Sequence, residues 1–294
     1  MINILVRTRE KVLNNIQTDI FKDKTIDLIC ICSYDNFHNT HIISSIKSGK
    51  HIFVEKPALD NFIDAKKVFS LLKKNKKLFF CSNYILRKSP RFIYLNKIIK
   101  KGDLGKIYYI EVDYNYGRLK KITHGWRGKI PFYSVTNGGG VHIIDLTNYL
   151  LGKKIIEVKS YANKIVTSKS KFKYPDCVVT IAKLENNIIA KFVTNFGCVY
   201  PHFHKLNLYG TKKTFENTLT RGKIFTKRDK NEYKSINKLY KTKKSLLLDE
   251  FITSIKKGKN RDKYIEDTFN ALCVCFAIDK SYKQNKNLKV EYLK

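Results

Sequence analysis

No glycine occurs in the first 48 residues of this 294-residue chain, and that gap restricts its chemistry more than any other feature of composition. With Gly49 as the first, nothing upstream of it can form a glycine-rich turn that brings backbone amides against a phosphate. Long apolar runs are missing too. No window holds about 18 consecutive apolar residues, which excludes a spanning helix. Met1-Ile2-Asn3-Ile4 lacks the basic-then-apolar layout of a secretory signal, so a cytoplasmic protein with no membrane partner is expected. Seven cysteines occur without any Cys-x-x-Cys pair. Most sit in apolar patterns and are read as reduced core residues rather than bridges or ligands; no metal is expected.

Acidic residues are also scarce: 25 against 58 basic ones, a formal charge of +33. Such a balance ordinarily points to nucleic acid or an anionic membrane. Its make-up argues otherwise. Lysines number 49 and arginines nine, and Asn, Ile, Tyr and Phe are abundant, the pattern that A/T-rich codons produce along a whole chain. Runs such as Lys73-Lys74-Asn75-Lys76-Lys77 are therefore read as solvated faces. Attraction to polyanions should be weak, salt-sensitive and without a specific nucleic-acid partner.

Hydrophobic content of 43% supports real cores, and the length suits two domains. Ile26-Asp27-Leu28-Ile29-Cys30-Ile31-Cys32 lacks polar alternation, as a parallel strand covered on both faces does. A loop, Ser33-Tyr34-Asp35-Asn36-Phe37-His38, follows. A helix over 40–47 stops at Gly49, and His51-Ile52-Phe53-Val54 begins the next strand. Glu55-Lys56-Pro57 then stands at a strand's carboxyl end, the edge where open α/β sheets bind ligands. Helical spacing over 60–75 and a strand over 78–81 complete this half. Pro90 opens a helix through about residue 100. Beyond it come β patterns over 107–116, 155–162, 177–184, 188–196 and 206–209, and helices over 245–257 and 264–282. Strands grouped in one half predict an open, mainly antiparallel sheet with flanking helices.

A second informative stretch runs Asn137-Gly138-Gly139-Gly140-Val141-His142-Ile143-Ile144-Asp145, then to Gly152, which supplies a left-handed helix stop. Three glycines would let a ligand approach the backbone where the positive end of the helix dipole points. His142 and Asp145, three apart, share one helical face. Just upstream, Trp126 offers a flat face for a sugar ring, Arg127 a fork for a carboxylate or phosphate, and Tyr133 a hydroxyl. His202 and His204 share a strand face and could ligate a metal, but no third ligand is evident.

Glu55-Lys56-Pro57 at a strand end and the glycine-to-His-x-x-Asp helix, in that order and with Asn83, Arg87, Trp126 and Tyr209-Gly210 at suitable intervals, resemble the Gfo/Idh/MocA oxidoreductases over about residues 2–293. The resemblance implies a Rossmann-type domain, residues 1–84, followed by a substrate-binding α+β domain, residues 85–294, with an open sheet. It also implies that residues 2–11 match the family's second strand, so that the first strand-helix unit is missing. NAD or NADP is the implied cofactor, with Arg7, Ser33, Tyr34, Asn36, His38, Glu55 and Lys56 around it. A sugar-type substrate against Arg87, Trp126, Arg127, Tyr133, Asp145 and His204 is implied, as is a homo-oligomer. One departure is that Gly138 stands where most members carry an Asp one turn before the histidine.

Oxidising a secondary alcohol needs a base for the hydroxyl proton, a positive group for the developing alkoxide, and a nicotinamide beyond the carbon. Lys56 suits the second role, and the first if burial lowers its pKa; His142 suits the first. The structural alternatives are a Lys56 paired with Glu55 or another acid and a His142 that merely starts a helix. At the level of the whole chain, an NAD(P)-dependent oxidoreductase acting on a CH–OH group of a sugar, polyol or nucleotide-linked sugar is expected. A non-catalytic or truncated member serving as ligand sensor or partner subunit is the alternative.

Overall fold

The computed structural model describes residues 4–6, 17–241, 243 and 245–294, in two compact units. The first comprises Met1–Tyr84, Ser245–Cys273 and Tyr292–Lys294; the second comprises Ile85–Lys244 and Val274–Glu291. Expectations for Arg7 and its neighbours fall outside the described residues.

Four parallel strands form the sheet of the first unit: β1 (Ile4–Val6), β2 (Leu28–Ile31), β3 (His51–Val54) and β4 (Phe80–Ser82), in that spatial order. Helices α1 (Gln17–Lys22), α2 (His38–Lys47) and α3 (Phe62–Lys74) connect them. Every residue of β2 is buried, which is why its sequence shows no alternation. Asn61 caps α3 by accepting from the Asp64 amide at 2.9 Å, and Ala65, Val68, Phe69 and Leu72 are its buried stripe. After α2 the chain turns at Gly49 with φ of +69°, a conformation that suits glycine.

Two late segments join this unit: the Leu246–Lys257 helix and the first part of the Arg261–Gln284 helix. Phe251 packs its ring against Phe53 and Tyr264, with centroids 5.8 and 5.2 Å apart, in a cluster that also holds Leu28, Cys30, Phe79 and Leu247. Truncating such a buried phenylalanine to alanine typically costs about 3–5 kcal/mol. Arg261 donates to the carbonyls of Leu78 and Leu72, tying the late helix to β4 and α3.

The second unit starts with α4 (Pro90–Lys100), its proline in the first turn as expected. Then follow β5 (Ile107–Asn115), α5 (Lys120–Thr123), a π-helical turn (Thr136–Gly140), α6 (Val141–Leu151), β6 (Ile155–Asn163), β7 (Cys177–Leu184) and β8 (Ile189–Asn195). Strands β9 (Phe203–Gly210), β10 (Thr214–Asn217), β11 (Gly222–Phe225), β12 (Tyr233–Ile236) and β13 (Leu288–Lys289) complete it. The nine-stranded sheet runs β12-β11-β10-β9-β5-β8-β7-β6-β13. Among its described pairings all are antiparallel except β5 with β8, so the mainly antiparallel open sheet is observed. In β7 exposed and buried residues alternate strictly, the pattern of a sheet covered on one face.

Strands β10 to β12 were not expected. Each is only four residues long, with at most two apolar side chains, too short for its periodicity to stand out from the polar residues around it. Buried Arg91 anchors this region: it donates to Asn217 Oδ1 at 2.7 Å, to the carbonyl of Thr218 at 2.8 Å and to that of Lys238 at 3.1 Å.

Candidate active site

Within the first unit, the carboxyl ends of β2, β3 and β4 bring together Ser33, Glu55, Lys56 and Asn83. The ladder continues past the strands, since Glu55 N donates to Ile31 O and Asn83 N to Val54 O, each at 2.9 Å. Lys56 and Glu55 are half-buried, and the Lys56–Pro57 peptide is cis. Asn83 Nδ2 donates to Glu55 Oε1 at 2.8 Å, whereas Asn83 Oδ1 is buried without a partner among the described residues. A buried amide oxygen left over beside an oriented carboxylate fits a ligand rich in N–H and O–H donors, as a carboxamide and a ribose are. These residues thus fit the nicotinamide end of a dinucleotide. Residues 7–16 lie outside the described residues and contain no glycine.

Asn36 is exposed and Ser33 and Tyr34 half-exposed, so all three can meet a ligand. His38 was expected beside the cofactor. It is fully buried, with Nδ1 at 2.7 Å from Pro57 O and Nε2 at 3.1 Å from Ser33 O. Whichever nitrogen carries the proton donates to its carbonyl, so the ring ties the loops after β2 and β3 together. Ser33 Oγ in turn meets His41 Nδ1 at 3.0 Å. Burial, with Asp35 and Asp64 adding like charge, pushes the Asp60 carboxyl up to about 7.

In the second unit His142 lies on α6, almost buried, its ring stacked on Tyr114 of β5 at 6.2 Å between centroids. His204 on β9 meets the edge of Tyr114 at 5.0 Å and lies 6.2 Å from His142. His202 is 5.2 Å from His204. Among the described residues no group of three His, Cys, Asp or Glu is placed to hold a metal. Burial, and after it the nearby His202, depresses the His204 imidazole to about 3, so it is neutral at ordinary pH. The phenol of Tyr114 is pushed well up by burial.

Asp145 and Arg87 were expected to meet substrate. They meet each other: Arg87 Nε donates to Asp145 Oδ2 at 2.8 Å and Nη2 reaches Oδ1, with the carboxylate fully enclosed. This pair anchors α6 to the segment before α4. Trp126 and Arg127, expected as separate contacts, stack on one another with the guanidinium 4.5 Å from the ring centre, so one indole face is already covered. Tyr133 is buried and packs edge-on against Phe172 and Phe196.

The glycine triplet also differs from expectation. Residues 136–140 form a π-helical turn running directly into α6, so His142 does not stand at a bare helix N-terminus. All three glycines are buried. A Cβ at Gly138 would meet the Tyr133 ring and hydroxyl, one at Gly139 would lie 2.7 Å from both Phe196 and Tyr114, and one at Gly140 would overlap Thr194 Oγ1. Close packing of this turn on β5, β8 and their aromatic neighbours, not ligand approach, requires them. Sequence reasoning missed Tyr114 and Tyr240, which hold the histidines. Tyr240 lies in a lysine-rich loop with no periodic signal.

Comparison with known proteins follows the same division. Residues 6–83 match a family model described as an oxidoreductase family, NAD-binding Rossmann fold, and residues 92–216 match the GFO/IDH/MocA C-terminal domain. The myo-inositol 2-dehydrogenase of Thermotoga maritima is 22% identical over 286 residues, 93% of this chain and 82% of that protein. An inositol 2-dehydrogenase of Salmonella typhimurium is 22% identical over 197 residues, 66% of this chain and 55% of that one. Among solved structures, myo-inositol 2-dehydrogenase from Lactobacillus plantarum superposes with a TM-score of 0.79 at 19% identity, covering 95% of this chain and 84% of that one. A levoglucosan dehydrogenase complexed with NADH gives 0.82 at 17% identity, covering 94% and 83%.

Proposed function

The chain belongs to the Gfo/Idh/MocA family of oxidoreductases, and from that premise we propose that it oxidises a CH–OH carbon of a cyclic polyol or sugar with NAD or NADP as acceptor. The observation that carries this reading is the strand-end group of Lys56, Glu55 and Asn83, with its unmatched buried amide oxygen, in the part of the chain that the NAD-binding model matches. A nicotinamide dinucleotide, when bound, supplies the hydride acceptor. The Lys56 ammonium stabilises the alkoxide that forms as the hydroxyl proton leaves, and His142 takes that proton. Glu55 holds Asn83, and Arg87 with Asp145 holds the helix that carries His142. The relatives' names make inositols and anhydrosugars the first substrates to try.

Turnover of myo-inositol and levoglucosan with each nicotinamide cofactor tests the reading. Lys56→Met and His142→Ala should each lower kcat at least about a hundredfold while calorimetric cofactor affinity stays nearly constant. Near-full turnover in both variants would overturn the assignment. A ligand sensor or partner subunit is the second reading, favoured by the glycine-free segment before Gly49; it requires polyol binding without turnover.

A homo-oligomer belongs to the same reading. The outer face of β6, β7 and β8 exposes Tyr161, Val179, Ile181 and Ile189 on neighbouring strands, a patch suited to a second copy of this chain. Ile181→Lys should then lower the sedimentation coefficient to that of a monomer. Residence in the cytoplasm fits seven cysteines in apolar patterns. Among the described residues no helix is long and apolar enough to cross a membrane.

A further inference from the structure

Tyr240 and His204 form a closed hydrogen-bond unit that decides which nitrogen of the histidine carries its proton. Tyr240 Oη accepts the backbone N–H of His204 at 3.1 Å and also bonds Nδ1 of the same residue's ring. Among the described residues Nδ1 is the acceptor within reach of the phenol proton, so the phenol donates to it and the ring proton resides on Nε2. Tyr240 is not free to turn away. Its carbonyl accepts from Ser89 Oγ at 2.7 Å, and its ring lies against Phe92, Phe203 and the Arg91 guanidinium.

His204 Nε2 is buried and has no partner among the described residues. A buried donor without an acceptor is uncommon unless a ligand or water completes it. The ring stands between Tyr114 and His202, 6.2 Å from His142. A neutral N–H in that position suits a neutral oxygen acceptor. A polyol whose carbinol hydroxyl meets His142 has such an oxygen on a neighbouring carbon.

We propose that the Nε2–H of His204, its tautomer set by Tyr240, donates to a second hydroxyl of the substrate and thereby determines which polyol is accepted. The proposal rests on the dehydrogenase reading above for its substrate class. His204 is a specificity-determining residue in this scheme and takes no part in the transfer of hydride or proton.

Nitrogen-15 spectra of the full chain with labelled histidine, assigned with His204→Gln, test the tautomer without any turnover. The expected result at neutral pH is a neutral ring protonated on Nε2; a ring protonated on Nδ1 would overturn the proposal. Kinetics test the contact. His204→Phe should lower kcat/KM for myo-inositol about ten- to a hundredfold. It should have no further effect on the one monodeoxy-inositol that lacks the paired hydroxyl. His204→Gln, which keeps an N–H near the same place, should recover much of the loss, and Tyr240→Phe should show an intermediate one. An equal loss for every deoxy isomer would mark a merely structural role and overturn the contact. If wild-type protein turns over no polyol, the dehydrogenase reading fails, and the Nε2 resonance decides the present proposal by itself. A shift on adding myo-inositol that one deoxy isomer does not produce supports it; a resonance unmoved by every probe overturns it.

Discussion

Replacing Arg87 by methionine would strand a carboxylate. Asp145 has no exposed side-chain surface, while Arg87 keeps 12% of its own, so the two halves of the ion pair are not equivalent when broken. Loss of the guanidinium leaves a fully enclosed charge with its main counter-ion gone, which should cost about 3–5 kcal/mol. Asp145→Asn should cost less, about 1–3 kcal/mol, because an amide still accepts from the arginine and the guanidinium retains some contact with water. The double variant Arg87→Met with Asp145→Leu should recover part of the loss of Arg87→Met alone, since no charge then remains buried. Urea unfolding followed by fluorescence of Trp126, the single tryptophan and a member of the same unit, measures all three. A loss below about 1 kcal/mol for Arg87→Met would mean that the pair behaves like a surface ion pair, and the burial argument would be refuted.

Asp60 makes the second prediction. Its folded-state pKa of about 7 lies above the unfolded value of 3.8, so the folded state holds the extra proton between these limits, and the stability cost builds up as pH rises from about 4 and is complete above about 7. Asp60→Asn should therefore stabilise the first unit at pH 8, by roughly 4 kcal/mol at most, with the gain fading to nothing below about pH 4; a gain that persists in acid would refute it. Gly139→Ala is the third: a methyl 2.7 Å from two aromatic rings should destabilise by about 1–3 kcal/mol and shift the near-ultraviolet dichroism of Tyr114, and a neutral result would mean that the turn is looser than its packing implies.

What was legible in the sequence was whatever a single strand or helix encodes by itself. Buried β2 and β3 wrote their parallel setting into uninterrupted apolar runs, and Pro90 marked the first turn of α4. The site was legible as a set of residues but not as a set of roles. Arg87 and Asp145 are 58 positions apart, and His204 and Tyr240 are 36 apart, so nothing local reveals that each satisfies the other. The same limit explains the glycines: a triplet before a helix looks alike in sequence whether a ligand or an aromatic ring fills the vacant Cβ positions. His38 illustrates it again, because only the fold brings Pro57 O to within 2.7 Å of its ring.

The division of the first unit between the two ends of the chain bears on how the protein is made. Its core cluster needs Phe251 and Tyr264 against Phe53 and Phe79, yet these rings are separated by most of the sequence. During synthesis at about 5–20 residues per second, strands β2 to β4 emerge and then wait on the order of 10–40 s for the helices that cover them. Throughout that interval three strongly apolar parallel strands lack part of their lid, the state in which unpaired strands aggregate. The closely spaced lysines between β3 and β4, from Lys73 to Lys77, put like charge beside the unfinished sheet, the placement that gatekeeper residues take next to apolar strands.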